Sequence, residues 1–152
     1  GGRRRGRVHG HRGRQRTRSS LGARTGGPSP SSTSVADVDG DGLMDIVIGN
    51  YNVVNYEENQ VLFGSADGRT FSEVVLPGGS MSTSSTSVAD VDRDGYMDIV
   101  VGNSNQENQI LFGSADGRTF SVVALPEGSS STLSIAVADV DGDGYMDIVV
   151  GN

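Results

Sequence analysis

Cysteine is absent from the 152-residue chain. No disulfide framework and no thiolate metal site can form, and the redox compartment is left open. Lysine is absent too, so arginine carries all the fixed positive charge. No run of about 18 apolar residues occurs, so no membrane-spanning helix is expected. No secretory apolar core is present, and the chain begins with Gly rather than Met, so an address signal is expected outside these residues. There is no Asn-X-Ser/Thr acceptor, and glycosylation gives no hint of compartment. Helical spacing never persists over about 11 residues, which argues against a helical fold.

What charge there is divides sharply. The net of -7 hides a basic segment and an acidic one. Residues 1–27 hold nine of the twelve Arg and no acid. Residues 28–152 hold all 19 acids against Arg69, Arg93 and Arg118, a net of -16. Twelve of the 19 acids sit in three copies of one nine-residue stretch.

The first copy is Asp37-Val38-Asp39-Gly40-Asp41-Gly42-Leu43-Met44-Asp45. The second runs from Asp90 to Asp98 and the third from Asp139 to Asp147. Four carboxylates in nine residues repel one another unless something positive sits among them. Asp at positions 1, 3 and 5, with Gly at 6 for a sharp turn, is how a chain wraps hard oxygen ligands around Ca²⁺. Each stretch therefore reads as a calcium loop, about three Ca²⁺ in all. The first site would use the side chains of Asp37, Asp39, Asp41 and Asp45 and the carbonyl of Leu43. An EF-hand needs Glu at position 12 and flanking helices. Position 12 here is Ile48, Val101 or Val150, so the ninth-position Asp would close the site instead. Three Ca²⁺ would bring the acidic part from -16 to -10, and a folded, metal-free form would repel itself.

The loops mark a period. Asp90 to Asp139 is 49 residues, and Phe63/Phe112, Phe71/Phe120, Leu76/Leu125 and Pro77/Pro126 are each 49 apart. The first spacing, Asp37 to Asp90, is four longer because residues 51–60 replace a shorter link at 104–109. A period near 49 implies one supersecondary element per unit. In the first unit, strands are predicted at 33–36, 45–49, 60–63 and about 71–76. The second is apolar on both faces and should be buried. Asp67-Gly68 marks a hairpin turn between the third and fourth. Radially arranged four-stranded units of this size describe a β-propeller. The four Phe, recurring at the repeat period, are expected to pack between sheets.

The unit "VADVDGDGLMDIVIGN … NQVLFGSADGRTFSEVVLP" resembles the FG-GAP/VCBS repeat, the blade of integrin-α-type β-propellers. The resemblance covers residues 31–152. It implies an all-β partial propeller of four-stranded antiparallel blades, with calcium loops between first and second strands. Carried over position by position, it implies three ligand sets. They are Asp37, Asp39, Asp41, Leu43 (carbonyl) and Asp45; Asp90, Asp92, Asp94, Tyr96 (carbonyl) and Asp98; and Asp139, Asp141, Asp143, Tyr145 (carbonyl) and Asp147. Leu62-Phe63-Gly64 and Leu111-Phe112-Gly113 match the Phe-Gly element. Ser-Ala-Asp-Gly follows where the family has Gly-Ala-Pro, which favours the VCBS branch.

The organisation expected is an Arg/Gly/Ser-rich disordered tail at 1–30, repeat 1 at 31–82, repeat 2 at 83–131 and the start of a third at 132–152. The tail lacks the aromatic residues that base stacking would use, so a nucleic-acid partner is not expected. A ring needs at least four blades, so further blades are expected in a longer chain or through self-association. No His, Glu or Ser accompanies the loops to act as base or nucleophile, so the calcium reads as structural and no enzyme activity is expected. The resemblance implies an extracellular or cell-surface interaction or adhesion module with a protein or glycan ligand. Two alternatives are a lectin-like propeller and an accessory domain of a secreted hydrolase. The inserted Tyr and Asn of residues 51–60 are the candidate recognition loop, and a plain connecting loop is the blander reading.

Overall fold

A computed structural model of the chain describes residues 29–51, 57–79, 82–126 and 131–152. Residues 1–28 of the tail expected at 1–30, and the centre of the 51–60 insertion, lie outside the described residues, while residues 29–30 belong to the first strand. Ten strands follow one another: β1 (Ser29–Ala36), β2 (Asp45–Tyr51), β3 (Gln60–Gly64), β4 (Phe71–Val75), β5 (Thr83–Ala89), β6 (Asp98–Asn103), β7 (Gln109–Gly113), β8 (Phe120–Ala124), β9 (Ser134–Ala138) and β10 (Asp147–Gly151). Among the described residues no helix is long and apolar enough to cross a membrane.

The strands form two four-stranded sheets, β1-β2-β3-β4 and β5-β6-β7-β8, and a two-stranded sheet of β9 and β10. Every pairing is antiparallel and joins neighbours in the chain. Each sheet is thus a meander, which needs only tight connections. All four expected strands form, with extensions: β1 begins at Ser29 rather than 33, β2 runs on to Tyr51 and β3 to Gly64. Pro30 is tolerated there because β1 is an edge strand and a register shift follows it, between Pro30 and Ser32.

Sheets stack face to face, and the core lies between them. Val47, Val61 and Phe63 of the first sheet meet Ile99, Val101 and Leu111 of the second, with Val38 and Leu76 closing the cluster. Alternation then points Val100 and Ile110 the other way, against Ile135. All six residues of β6 are therefore buried. Their continuous apolar run is what a strand covered on both faces requires. The same run in β10 is partly or fully exposed, since that strand has a single sheet against it.

The recurring Phe do not share one fate. Phe63 is fully buried, and Phe112 and Phe120 are partly buried against the two clusters. Phe71 is 49% exposed, contrary to the packing expected from the period. It is the counterpart of Phe120, but the sheet in front of it has no equivalent among the described residues.

Polar groups bind one sheet to the next. The register shifts in β1 and β5 leave Ser31 and Ser84 as extra residues. The Ser31 hydroxyl donates to the carbonyls of Gly49 (3.2 Å) and of Thr83 in the next sheet. The Ser84 hydroxyl repeats this with Gly102 (3.1 Å) and Thr132 (2.5 Å). The buried Asn59 and Asn108 amides donate to the hydroxyls of Thr83 and Thr132, both at 2.9 Å. Gly49 and Gly102 allow this approach. A Cβ on Gly49 would lie 2.6 Å from Thr83 Cγ2, and one on Gly102 would lie 2.7 Å from Ile135 Cγ1.

Candidate metal centre

The three Asp loops occupy equivalent positions. Residues 37–44 join β1 to β2, 90–97 join β5 to β6, and 139–146 join β9 to β10. In each, the first, third and fifth Asp offer oxygen atoms that all lie within 4.8 Å of one another: Asp37, Asp39 and Asp41; Asp90, Asp92 and Asp94; Asp139, Asp141 and Asp143. The loop backbone holds them there. Gly42, Gly95 and Gly144 adopt φ of +87°, +91° and +87°, and turn the chain sharply. Their N–H groups donate to Asp37, Asp90 and Asp139 at 2.9, 3.0 and 2.9 Å. The seventh residues, Leu43, Tyr96 and Tyr145, donate their N–H to the fifth Asp at 2.8, 2.8 and 2.7 Å. That fixes the peptide just before the carbonyl expected to ligate.

The ninth-position Asp is placed differently. Asp45 is buried and begins β2. Its Oδ2 accepts from Val38 N–H (2.7 Å) and its Oδ1 from Gly64 N–H (2.8 Å). Asp98 does the same with Val91 (2.7 Å) and Gly113 (2.9 Å). Asp147 keeps only the bond from Val140, at 2.8 Å. Asp45 and Asp98 thus clamp the loop to the end of the third strand, and all three ninth-position carboxylates stand beside the triplets. Each oxygen retains a second lone pair. Burial pushes the Asp98 carboxyl above its ordinary range, with the charges of Asp92 and Asp94 adding to the effect. Hydrogen bonds from Gly113 and Val91 oppose it.

Do the residues fit Ca²⁺? Its ligands are hard oxygens, six to eight in flexible geometry. The triplets offer oxygen alone. Asp37 Oδ1 and Asp90 Oδ1 are buried atoms with no hydrogen-bond partner. A buried carboxylate oxygen without a donor is costly, and a cation would satisfy it. Loop 3 differs. All three of its Asp are exposed, and Asp139 Oδ1 accepts from Gly142 N–H at 2.7 Å. The first two loops therefore fit a cation with the least rearrangement.

Arginines bridge the loops. The Arg93 guanidinium of loop 2 lies over the Tyr145 ring of loop 3, 3.9 Å from its centroid. Arg93 takes the position where the other loops have Gly, and it adopts a φ of +66° to do so. Arg118, from the turn between β7 and β8, reaches Asp39. Tyr96 lines a cleft of about 210 Å³ between loops 1 and 2, together with Asp37, Asp39 and Gly117.

The turns between third and fourth strands are built by their own Asp. Asp67 accepts from the Ser65 hydroxyl (2.6 Å) and from the N–H groups of Arg69 (2.7 Å) and Thr70 (2.9 Å). These bonds lower its carboxyl from 3.8 to about 2. Asp116 is likewise held well below the usual carboxylate range, first by the N–H groups of Arg118 and Thr119. The Asp-Gly pair at 67–68 signalled this turn. Nothing in the local sequence signalled that Arg118, 79 residues on, would meet Asp39.

Stacked four-stranded meanders, each with an Asp loop at the same corner, define a blade-type repeat protein. The comparisons agree. The model of the family described as "FG-GAP-like repeat" matches residues 37–101 and again 90–150. The chain belongs to this family. No match was found among curated proteins.

Proposed function

We propose that this segment is a calcium-stabilised part of a β-propeller, serving as a non-enzymatic interaction module outside cells or at their surface. The family membership supports a propeller-type repeat module. One observation carries the calcium reading: three equivalent carboxylate triplets, two of them with a buried, unpartnered oxygen on the first Asp. Calcium would supply positive charge and no bond-making chemistry. The chain's own residues do the rest. Asp37, Asp39 and Asp41 and their equivalents would hold the ion, while Asp45 and Asp98 lock the loop to the next hairpin. Neutralising the triplet removes self-repulsion, so metal binding becomes folding stability. Millimolar calcium outside cells fills loops of even weak affinity.

The third sheet and its loop are the candidate interaction face, where Leu133, Val140, Tyr145 and Val149 are exposed apolar groups. The test is binding-linked stability. Thermal unfolding of chelator-stripped protein should shift upward with added Ca²⁺, the gain in stability being RT ln(1 + [L]/Kd) per site. Ca²⁺ should act more strongly than Mg²⁺, which demands tighter octahedral geometry. Equal melting with and without millimolar Ca²⁺ would rule out the structural role.

A further inference from the structure

We propose that Arg118 is a built-in counter-cation for the first Asp loop, tying that loop to the second sheet and weakening its hold on a divalent cation. This rests on the reading of the loops as calcium sites. Arg118 sits in a turn already fixed by Asp116, which accepts its N–H at 2.9 Å and that of Thr119 at 2.8 Å. The turn presses on loop 1: a Cβ on Gly117 would lie 2.5 Å from Asp39 Cα. The guanidinium then delivers two N–H groups to one oxygen, Asp39 Oδ2, from Nη2 at 2.8 Å and Nε at 3.2 Å. Its Nη1 reaches Ser72 Oγ at 3.4 Å, and its face covers the Phe63 ring at 4.6 Å. The Asp39 side chain is 6% exposed in this setting.

Among the described residues, no other loop carboxylate has an ion pair. Asp92 and Asp141 hold the same third position in their loops and are exposed. Each keeps a bond from the fifth Asp N–H, at 3.1 and 3.0 Å, as Asp39 does at 3.3 Å. The bond between fifth and third Asp thus recurs in every loop, and the Arg118 pair is what sets the third position of loop 1 apart. Without a divalent ion, its charge relieves the repulsion among Asp37, Asp39 and Asp41. With one, a fixed positive charge stands behind a ligand. For a 2+ ion roughly 6 Å away in a water-like medium, that repulsion lowers affinity about tenfold. Coupling is reciprocal, so a cation in loop 1 loosens the Arg118 contact between the two sheets by the same factor.

The experiment is a Ca²⁺ titration of the full chain followed by amide NMR, reading Gly42, Gly95 and Gly144, one per loop. In Arg118→Gln the Gly42 midpoint should fall about tenfold, with Gly95 and Gly144 unmoved. Arg118→Lys keeps the charge and should keep the parent midpoint. A Gly42 midpoint that stays or rises in Arg118→Gln overturns the proposal. So does a Lys variant shifted as far as the Gln variant, because contact geometry rather than charge would then be at work. A Gln variant folded only when Ca²⁺ is present would support Arg118 as a stand-in for the ion. One unfolded under both conditions would make Arg118 a general prop and overturn it. If none of the three Gly responds in the parent protein, the calcium reading itself fails.

Discussion

Replacing Asp98 with Ala should cost the calcium-free protein about 3 kcal/mol. Asp98 is fully buried, and its two oxygens accept the N–H groups of Val91 and Gly113. Alanine leaves both donors without acceptors inside the protein. Each orphaned buried donor costs roughly 1–3 kcal/mol. Removing a buried carboxylate gives part of that back, since its own desolvation is relieved. Asp147 supplies an internal control. It has one such bond, to Val140, and sits only half-buried at the start of β10. Water can take over there, and Asp147→Ala should cost about 1 kcal/mol. The assay is urea unfolding by circular dichroism in excess chelator, which removes any contribution from bound metal. At a slope of about 2 kcal/mol per M, Asp98→Ala should lower the midpoint by about 1.5 M, and Asp147→Ala by about a third of that. Equal losses at the two positions would refute the clamp. So would a loss at Asp98 that appears only with calcium present, because the residue would then act solely as a ligand.

Further outcomes test other parts of the structure. Gly113→Ala would press a Cβ on the backbone oxygen of Met97, which cannot rotate away, and should cost about 2–3 kcal/mol. Gly68→Ala meets nothing within 4 Å but must hold a φ of +63°, and should cost about 1 kcal/mol. Chemical denaturation would show the order, and a reversed order would contradict the packing. The Asp67 carboxyl is lowered in the folded state, so its contribution is present above 3.8 and lost as pH falls through about 2. Carboxyl NMR should find its midpoint near 2, and a value at or above 3.8 would contradict the turn network. Asp37→Asn should remove one Ca²⁺ from the uptake and leave chelator-treated stability unchanged or slightly higher, because a repulsive charge has gone.

The fold was legible wherever local pattern and burial agree. The run at 99–101 is apolar at every position because β6 has a sheet on each face. The turn at 67–68 announced itself through Asp-Gly, and the triplets through their one-three-five spacing. The bonds between sheets were not legible. Ser31, Ser84, Thr83 and Thr132 lie in stretches of small polar residues that look interchangeable. Only the register shift shows which hydroxyl faces the next sheet. The Gly-Asn pair ending each apolar run, at 49–50 and 102–103, was the available clue to close approach. Phe71 defeated the repeat logic because its surroundings depend on a neighbouring sheet, which the residue itself cannot encode. Spacing places Asp45 in the loop, but says nothing of the N–H groups of Val38 and Gly64 that reach it.

The central claim is that the three Asp loops are calcium sites that stabilise the blades. Calorimetric titration of metal-stripped protein with Ca²⁺ tests it most directly, with β-sheet dichroism recorded on the same samples. The account predicts uptake approaching three ions per chain, one for each triplet, with a gain of ordered β signal. No heat and no change in dichroism at millimolar Ca²⁺ would contradict it, and the Asp stretches would be acidic turns.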